Sequence, residues 1–262
     1  MINKDITVQF ENAVKNTLSA FKQRIEQQRF FQLQNNLLKK LHEEVKIIGY
    51  CNSRTVEELS LKYEDLYRQL SESGRSYENI VEEKNLIDTY SAFEKFLFDC
   101  FCAIYTFFPK YIGDKVSVNI SDLFIDENIE LCKKNIIELK VKNFIQSNNI
   151  IDILNGFRKE FSLKTIKDAV SEDERNILYE ISLIRNLIIH NNSIVNRVYK
   201  EQIKKLPQDK VKYQFNEGDT VLDKLEYIVQ DIKDTATKVC EKIADSIIDE
   251  SGRLEKYHER KD

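Results

Sequence analysis

Residues 171–193, SEDERNILYEISLIRNLIIHNNS, are the stretch on which the fold class turns. Ser171 followed by Glu172, Asp173 and Glu174 has the chemistry of a helix N-terminus, where a serine caps unpaired backbone N–H groups and acids meet the positive end of the dipole. Ile177, Leu178, Ile181, Leu183 and Ile184 then recur at helical spacing and form an apolar face. Asn191, Asn192 and Ser193 supply the stop, since asparagine tolerates the left-handed backbone that closes helices. One capped helix ending at His190 is predicted, and its end leaves that imidazole free to turn toward a substrate.

The last turns of this helix carry Arg185, Asn186 and His190. At about 100° per residue Asn186 and His190 share a face, whereas Arg185 lies roughly 140° from His190, an offset that a long guanidinium can bridge. The three side chains suit attack on a phosphodiester. Histidine exchanges a proton near neutral pH, arginine stabilises charge on the non-bridging oxygens, and asparagine orients the scissile group. In RNA the substrate's own 2′-hydroxyl can be the nucleophile, so the expected product is a 2′,3′-cyclic phosphate and no metal is required.

An Arg, four intervening residues and a His, with Asn directly after the Arg, resembles the signature of the HEPN superfamily. That resemblance implies an α-helical, usually dimeric domain, often a metal-independent endoribonuclease of toxin-antitoxin, abortive-infection or other antiviral systems. It makes Arg185 and His190 the catalytic pair and Asn186 the polar helper, with the motifs of both subunits facing one shared cleft. Glu94, within Tyr90-Ser91-Ala92-Phe93-Glu94, resembles the polar position that such proteins place opposite the motif, and is an auxiliary candidate. Some members carry Tyr two residues after the His, a target for a nucleotidyltransferase partner; here Asn192 stands there, which disfavours such an antitoxin. A HEPN-like fold that has lost activity and serves as an interaction or regulatory scaffold in a defence complex is the alternative.

The whole chain agrees with an all-α class. Its 262 residues are 42% apolar and 32% charged, with six glycines and two prolines, Pro109 and Pro207, so chain breakers are few. A formal charge of -4 argues against gripping nucleic acid through bulk electrostatics, so RNA contact must be local. Residues 131–168 hold eight Lys or Arg against four acids, which reads either as a phosphate-tracking surface or as the commoner solvated helix face. RNA-binding residues beyond the motif are not assigned.

Five cysteines without framework spacing, and no secretory signal at the start, are expected of a reducing cytoplasm without disulfides. Cys100 and Cys102 stand about 200° apart on a helix and read as small core residues. The histidines, His42, His190 and His258, have no zinc-type spacing, and neither metal nor other cofactor is expected. G-x-S-x-G, P-loop and glycine-rich dinucleotide motifs are absent, which removes serine hydrolase, NTPase and Rossmann readings.

The organisation expected is a HEPN-like helical bundle over residues 76–251, preceded by an accessory N-terminal helical region, 1–75, and followed by a frayed charged tail, 252–262. Within 5–48 one or two helices pack through a seam of Leu18, Phe21, Ile25, Phe30, Leu33, Leu37, Leu41, Val45 and Ile48, and a further helix follows at Thr55–Leu70. Tyr77–Phe108 reads as a long buried helix, too short and too interrupted by Asp99 to span a membrane. A loop at 111–126, helices near 127–146, 149–158 and 195–205, a polar loop at Pro207–Asp219, and a helix at Thr220–Glu250 complete the chain. Expected partners are RNA, a second copy, and an antitoxin or defence-system protein, with no membrane.

Overall fold

The computed structural model describes residues 4–48, 68, 76–112 and 129–259. The predicted helix at Thr55–Leu70, apart from Arg68, and most of the predicted loop at 111–126 lie outside the described residues. The described chain is helical: α1 (Lys4–Ile48), α2 (Tyr77–Phe107), α3 (Ile129–Ser147), α4 (Ile150–Phe161), α5 (Thr165–Ala169), α6 (Glu172–His190), α7 (Arg197–Ile203), α8 (Leu225–Asp249) and α9 (Ser251–Glu259). Among the described residues no strand forms; one isolated antiparallel bridge joins Ile194 and Thr220. No described helix is long and apolar enough to cross a membrane.

Helix α2 is the axis of the bundle because from Phe96 to Phe107 it is apolar nearly all round, a composition that pays off only when several neighbours cover it. It packs against α1, α3, α6 and α8. Leu86, Phe93, Leu97, Cys100 and Ile104 lose all solvent contact. Each fully buried side chain of this size contributes about 1.5–3 kcal/mol. Phe101 lies 4.2 Å from Phe157 and 5.2 Å from Phe144, ring centre to ring centre, and so draws α3 and α4 onto the axis. Pro109 disfavours helical backbone at Phe108, whose φ of -127° ends the helix there.

Helix α8 buries the stripe Leu225, Ile228, Ile232, Val239, Ile243 and Ile247 against α1, α2, α5 and α6, as its spacing predicts. Cys100 and Cys240 meet in this core, where burial pushes both thiols well above their ordinary range. Cys102 is half-buried, and burial, with Asp99 adding to it, pushes its thiol up to about 12. None of these thiols is therefore a ready nucleophile.

Two sequence expectations need correction. The apolar seam of α1 does not run its full length: Phe10, Val14, Phe21 and Ile25 are buried, but Phe30, Leu33 and Leu37 are 59%, 61% and 60% exposed. From Ile25 to Phe30 the spacing is five residues, which turns the stripe about 140° and carries it off the core face. Gln28 and Gln32 continue the inward face instead; Gln28 accepts from Thr89 at 2.7 Å, and Gln32 accepts from the buried Lys233 at 2.9 Å while donating to Glu82 at 3.0 Å. Glutamines are tolerated there because every buried polar group has a partner across the seam. The first helix thus shares one core with α2 and α8.

The segment expected as a frayed charged tail is the helix α9. Leu254 has no solvent contact and Thr7 donates to Glu255 at 2.9 Å, so α9 is tied back onto the first turn of α1. One apolar anchor among charges suffices when a neighbour covers it.

Candidate functional site

The motif helix α6 forms as its sequence predicts. Ser171 and Glu174 make a capping box, each side chain bonded to the other's backbone N–H, and Lys242 of α8 grips Glu174 at 2.7 Å. Leu178, Ile181, Ile184 and Leu187 are buried. At the far end the N–H groups of Asn191 and Ser193 donate to Leu187 O at 2.8 and 3.1 Å, while Asn192 and Ser193 take φ of 50° and 64°. These left-handed residues turn the chain away immediately after His190. The buried Ser193 hydroxyl then donates to the Glu83 carboxylate of α2, which fixes the end of the motif helix to the bundle axis.

Beside α6 lies an open groove of about 660 Å³, walled by α2, the α3–α4 corner and α6. Arg185 and Asn186 line it, and so does Glu94. The guanidinium of Arg185 lies over the Tyr90 ring, its carbon 5.8 Å from the centroid, and its Nη1 donates to Asn186 Oδ1 at 3.1 Å. Its Nε is buried without a partner, and among the described residues Arg185 forms no ion pair. Burial pushes the Glu94 carboxyl above its ordinary 4.5, and the nearby Arg185 charge opposes that rise. Tyr90 is buried, which raises its hydroxyl well above the usual phenol range.

His190 does not line this groove. It is exposed and lies beyond its end. The reason is axial: Asn186 to His190 is four residues, about 6 Å of rise and about 40° of rotation. Tyr179, Leu183 and Asn186, which do line the groove, fall on the same stripe of α6 as His190, so the imidazole continues the groove's wall one turn further on. Around it Ile189, Ile194 and Val198 are 40%, 45% and 64% exposed, an apolar rim next to a polar cleft.

Several groove residues escape sequence reasoning: Tyr90, Gln146, Tyr179, Ser182 and Gln202; Lys142 enters it only as one cation of the basic zone. A signal existed for some. Tyr90 and Glu94 are four apart, as are Lys142 and Gln146, so each pair shares a helix face. What brings those faces together is tertiary packing. Of the basic zone at 131–168, only Lys142 lines the groove. Lys133 pairs with Glu130 and Lys134 with Glu138 on their own helix, and Lys140 donates to Ile112 O at 2.7 Å and sits 4.5 Å from the Tyr105 ring centre. Asp99 is paired with Lys95 one turn away and does not reach the motif.

A second polar device lies on the other side of α6. Glu180 has no solvent contact, and its carboxylate accepts from the backbone N–H groups of Lys212 at 2.9 Å and Tyr213 at 2.7 Å. Burial pushes its carboxyl up to about 7, against the opposing pull of those two donors and of the Lys212 and Lys224 charges. Glu180 thereby holds the 207–221 connection against the motif helix. Among the described residues no cluster of His, Cys, Asp or Glu is arranged to hold a metal ion.

No protein-family model, curated protein or solved structure matches the chain. What the fold and the site define is an all-α protein whose capped helix presents arginine and asparagine to a cleft and histidine at its rim.

Proposed function

We propose that this chain is a metal-independent endoribonuclease of the HEPN type, a toxin or antiviral defence effector that cuts single-stranded or loop RNA. The observation that carries the reading is Arg185: a guanidinium without an ion pair among the described residues, facing an open groove, five residues before an exposed histidine on the same helix. An arginine so placed can bind the non-bridging oxygens of a phosphodiester. His190 acts as general base toward the 2′-hydroxyl or as general acid toward the departing 5′-oxygen. The 2′-oxygen forms a bond to phosphorus, the bond from phosphorus to the 5′-oxygen breaks, and that oxygen leaves with a proton. The products are a 2′,3′-cyclic phosphate and a 5′-hydroxyl. Asn186 holds Arg185 and orients the phosphate, and Glu94 balances the guanidinium from α2.

A second copy of the chain completes the site. In one chain His190 stands past the end of the groove, and the exposed Ile189, Ile194 and Val198 beside it suit contact with another apolar surface. A homodimer through this rim would bring two motifs together and bury those side chains. The same rim supports the alternative, a catalytically inactive scaffold that recruits a defence partner through α6 and α7.

Incubation of the purified protein with total tRNA in EDTA separates the two. The ribonuclease reading expects fragments ending in 2′,3′-cyclic phosphate, with cleavage lowered about 10²- to 10⁴-fold in His190→Ala and in Arg185→Ala. RNA left intact by a folded, dimeric sample decides for the scaffold.

A further inference from the structure

We infer that the groove beside Arg185 is a subsite for one unpaired nucleotide, its phosphate on Arg185 and Lys142 and its base against Phe98 with the Gln146 and Gln202 amides at its edge. The inference rests on the ribonuclease reading for its choice of an RNA nucleotide as occupant. It names what the strand places next to the reacting phosphodiester.

Size comes first. A groove of about 660 Å³ lies in the range of small-molecule sites and admits one nucleotide with its sugar. Chemistry comes second, because the lining is divided as a nucleotide is divided. Phe98 is half-buried at the wall; Lys95 Nζ lies over its ring 5.3 Å from the centroid, so a base would stack on the ring's other face or displace that lysine. Lys142 and Gln146 make no hydrogen bond or ion pair within the described structure, and Arg185 keeps an unsatisfied buried Nε. Gln202 accepts from Tyr179 at 3.2 Å and from Lys205 at 2.6 Å through its oxygen, which leaves its amide N–H groups as donors. The buried Arg185 Nε is costly unless a ligand satisfies it, while the exposed Lys142 and Gln146 are solvated and open to a ligand.

Charge comes third. Two cations, Arg185 and Lys142, face the groove beside a third, Lys95, whose charge is shared with Asp99. One carboxylate, Glu94, stands among them. That balance accommodates a single phosphodiester or monophosphate and disfavours a triphosphate. Glu94 can also accept from a 2′-hydroxyl or an exocyclic amine, groups that inorganic phosphate lacks.

The test is titration of the full chain with uridine 3′-monophosphate, adenosine 3′-monophosphate, inorganic phosphate, and a 2′-O-methyl oligouridylate that cannot be cleaved, followed by calorimetry. Wild type, Lys142→Gln, Gln146→Ala and Phe98→Leu are compared; the first two changes are at exposed positions. Saturable nucleotide binding is expected, weakened about fivefold or more in each variant, with inorganic phosphate roughly tenfold weaker than either nucleotide. An oligonucleotide that binds more tightly than the mononucleotide supports a strand as the source. Equal affinity overturns the strand and makes a free nucleotide the ligand. No saturable nucleotide binding, or binding unchanged in all three variants, overturns the subsite. The two readings fail separately: nucleotide binding without any RNA cleavage sinks the nuclease and keeps the subsite. Cleavage with unchanged KM and sequence preference in these variants does the reverse.

Discussion

Tyr213 donates its backbone N–H to Glu180 Oε1 at 2.7 Å across 33 positions of sequence, and Glu180 has no solvent contact. A buried carboxylate is thus the clasp between the motif helix and the connection that leads to α8. Folding raises its pKa from 4.5 to about 7, chiefly through burial. The folded state therefore binds more protons than the unfolded chain between those values. Its contribution to stability is fully present below about pH 4.5 and is lost as pH rises through 7. At about 1.4 kcal/mol per pH unit the swing is about 3 kcal/mol. Urea unfolding of wild type and Glu180→Gln between pH 5 and about 7.5 measures it. The difference between the two proteins should change with pH by that order, and a constant difference rules out the buried charge. Glu180→Ala leaves two backbone N–H groups without an acceptor and should cost about 2–5 kcal/mol near pH 5, and less as pH rises through 7.

At Gly156, α4 packs closely on the aromatic side chains of α2 and α3. A Cβ at this position would stand 2.5 Å from Phe144 Cζ and 3.1 Å from Phe101 Cζ. Alanine gains about 1 kcal/mol of helix propensity over glycine, but inserting a methyl into a packed aromatic contact costs about 1–3 kcal/mol, and strain wins here because Phe101 is itself locked among Phe144, Phe157 and Phe161. Gly156→Ala should lower Tm by several degrees and weaken any ligand of the groove, since the α3–α4 corner forms one wall. Thermal denaturation checks the first and nucleotide titration the second.

Ser162 caps α4 in the left-handed conformation, with φ of 57° and its side chain exposed. Its backbone N–H bonds to Arg158 O at 2.9 Å, and its hydroxyl makes no bond to any described residue. A non-glycine residue there costs about 1–2 kcal/mol. Ser162→Gly should recover about 1 kcal/mol of it, the remainder being offset by glycine's greater freedom when unfolded. An unchanged denaturation midpoint would show that the backbone relaxes at this turn.

If the chain cleaves RNA as proposed, Glu94 ties the acid limb of that activity to the groove. Burial raises its carboxyl above 4.5, and only its charged form can balance Arg185. Cleavage should therefore decline on acidification at a higher pH than an ordinary carboxylate would dictate. Glu94→Gln should lower kcat/KM about tenfold and flatten that limb, with Glu94→Asp restoring part of both. An acid limb that is identical in Glu94→Gln assigns it to another group.

Local signals in the chain were enough wherever one element decides its own form. The Ser171 cap, the apolar stripe of α8 and the Asn191–Ser193 stop are all readable because capping, periodicity and left-handed tolerance act over a few residues. Arg185 and Asn186 could be singled out by type and spacing, and Glu94 by the resemblance to a HEPN position, and the three do meet on one groove. Lys142, Gln146 and Gln202 could not, for no local rule tells an exposed lysine on a helix from one that faces a cleft. The phase jump between Ile25 and Phe30 was present in the spacing, yet a count of threes and fours passes over one step of five.

Composition and periodicity alone determined that this protein is all-helical, where the motif helix begins and stops, and which side chains are capable of phosphate chemistry. Only the packing of α2, α3, α4 and α6 decided which of them share a cavity. It brought Arg185 over Tyr90, set Glu94 near it, and left His190 one turn beyond the groove's edge. Helix formation is governed by neighbours along the chain, whereas a groove is the space left between helices whose contacts are non-local, so its lining is written nowhere in a single segment.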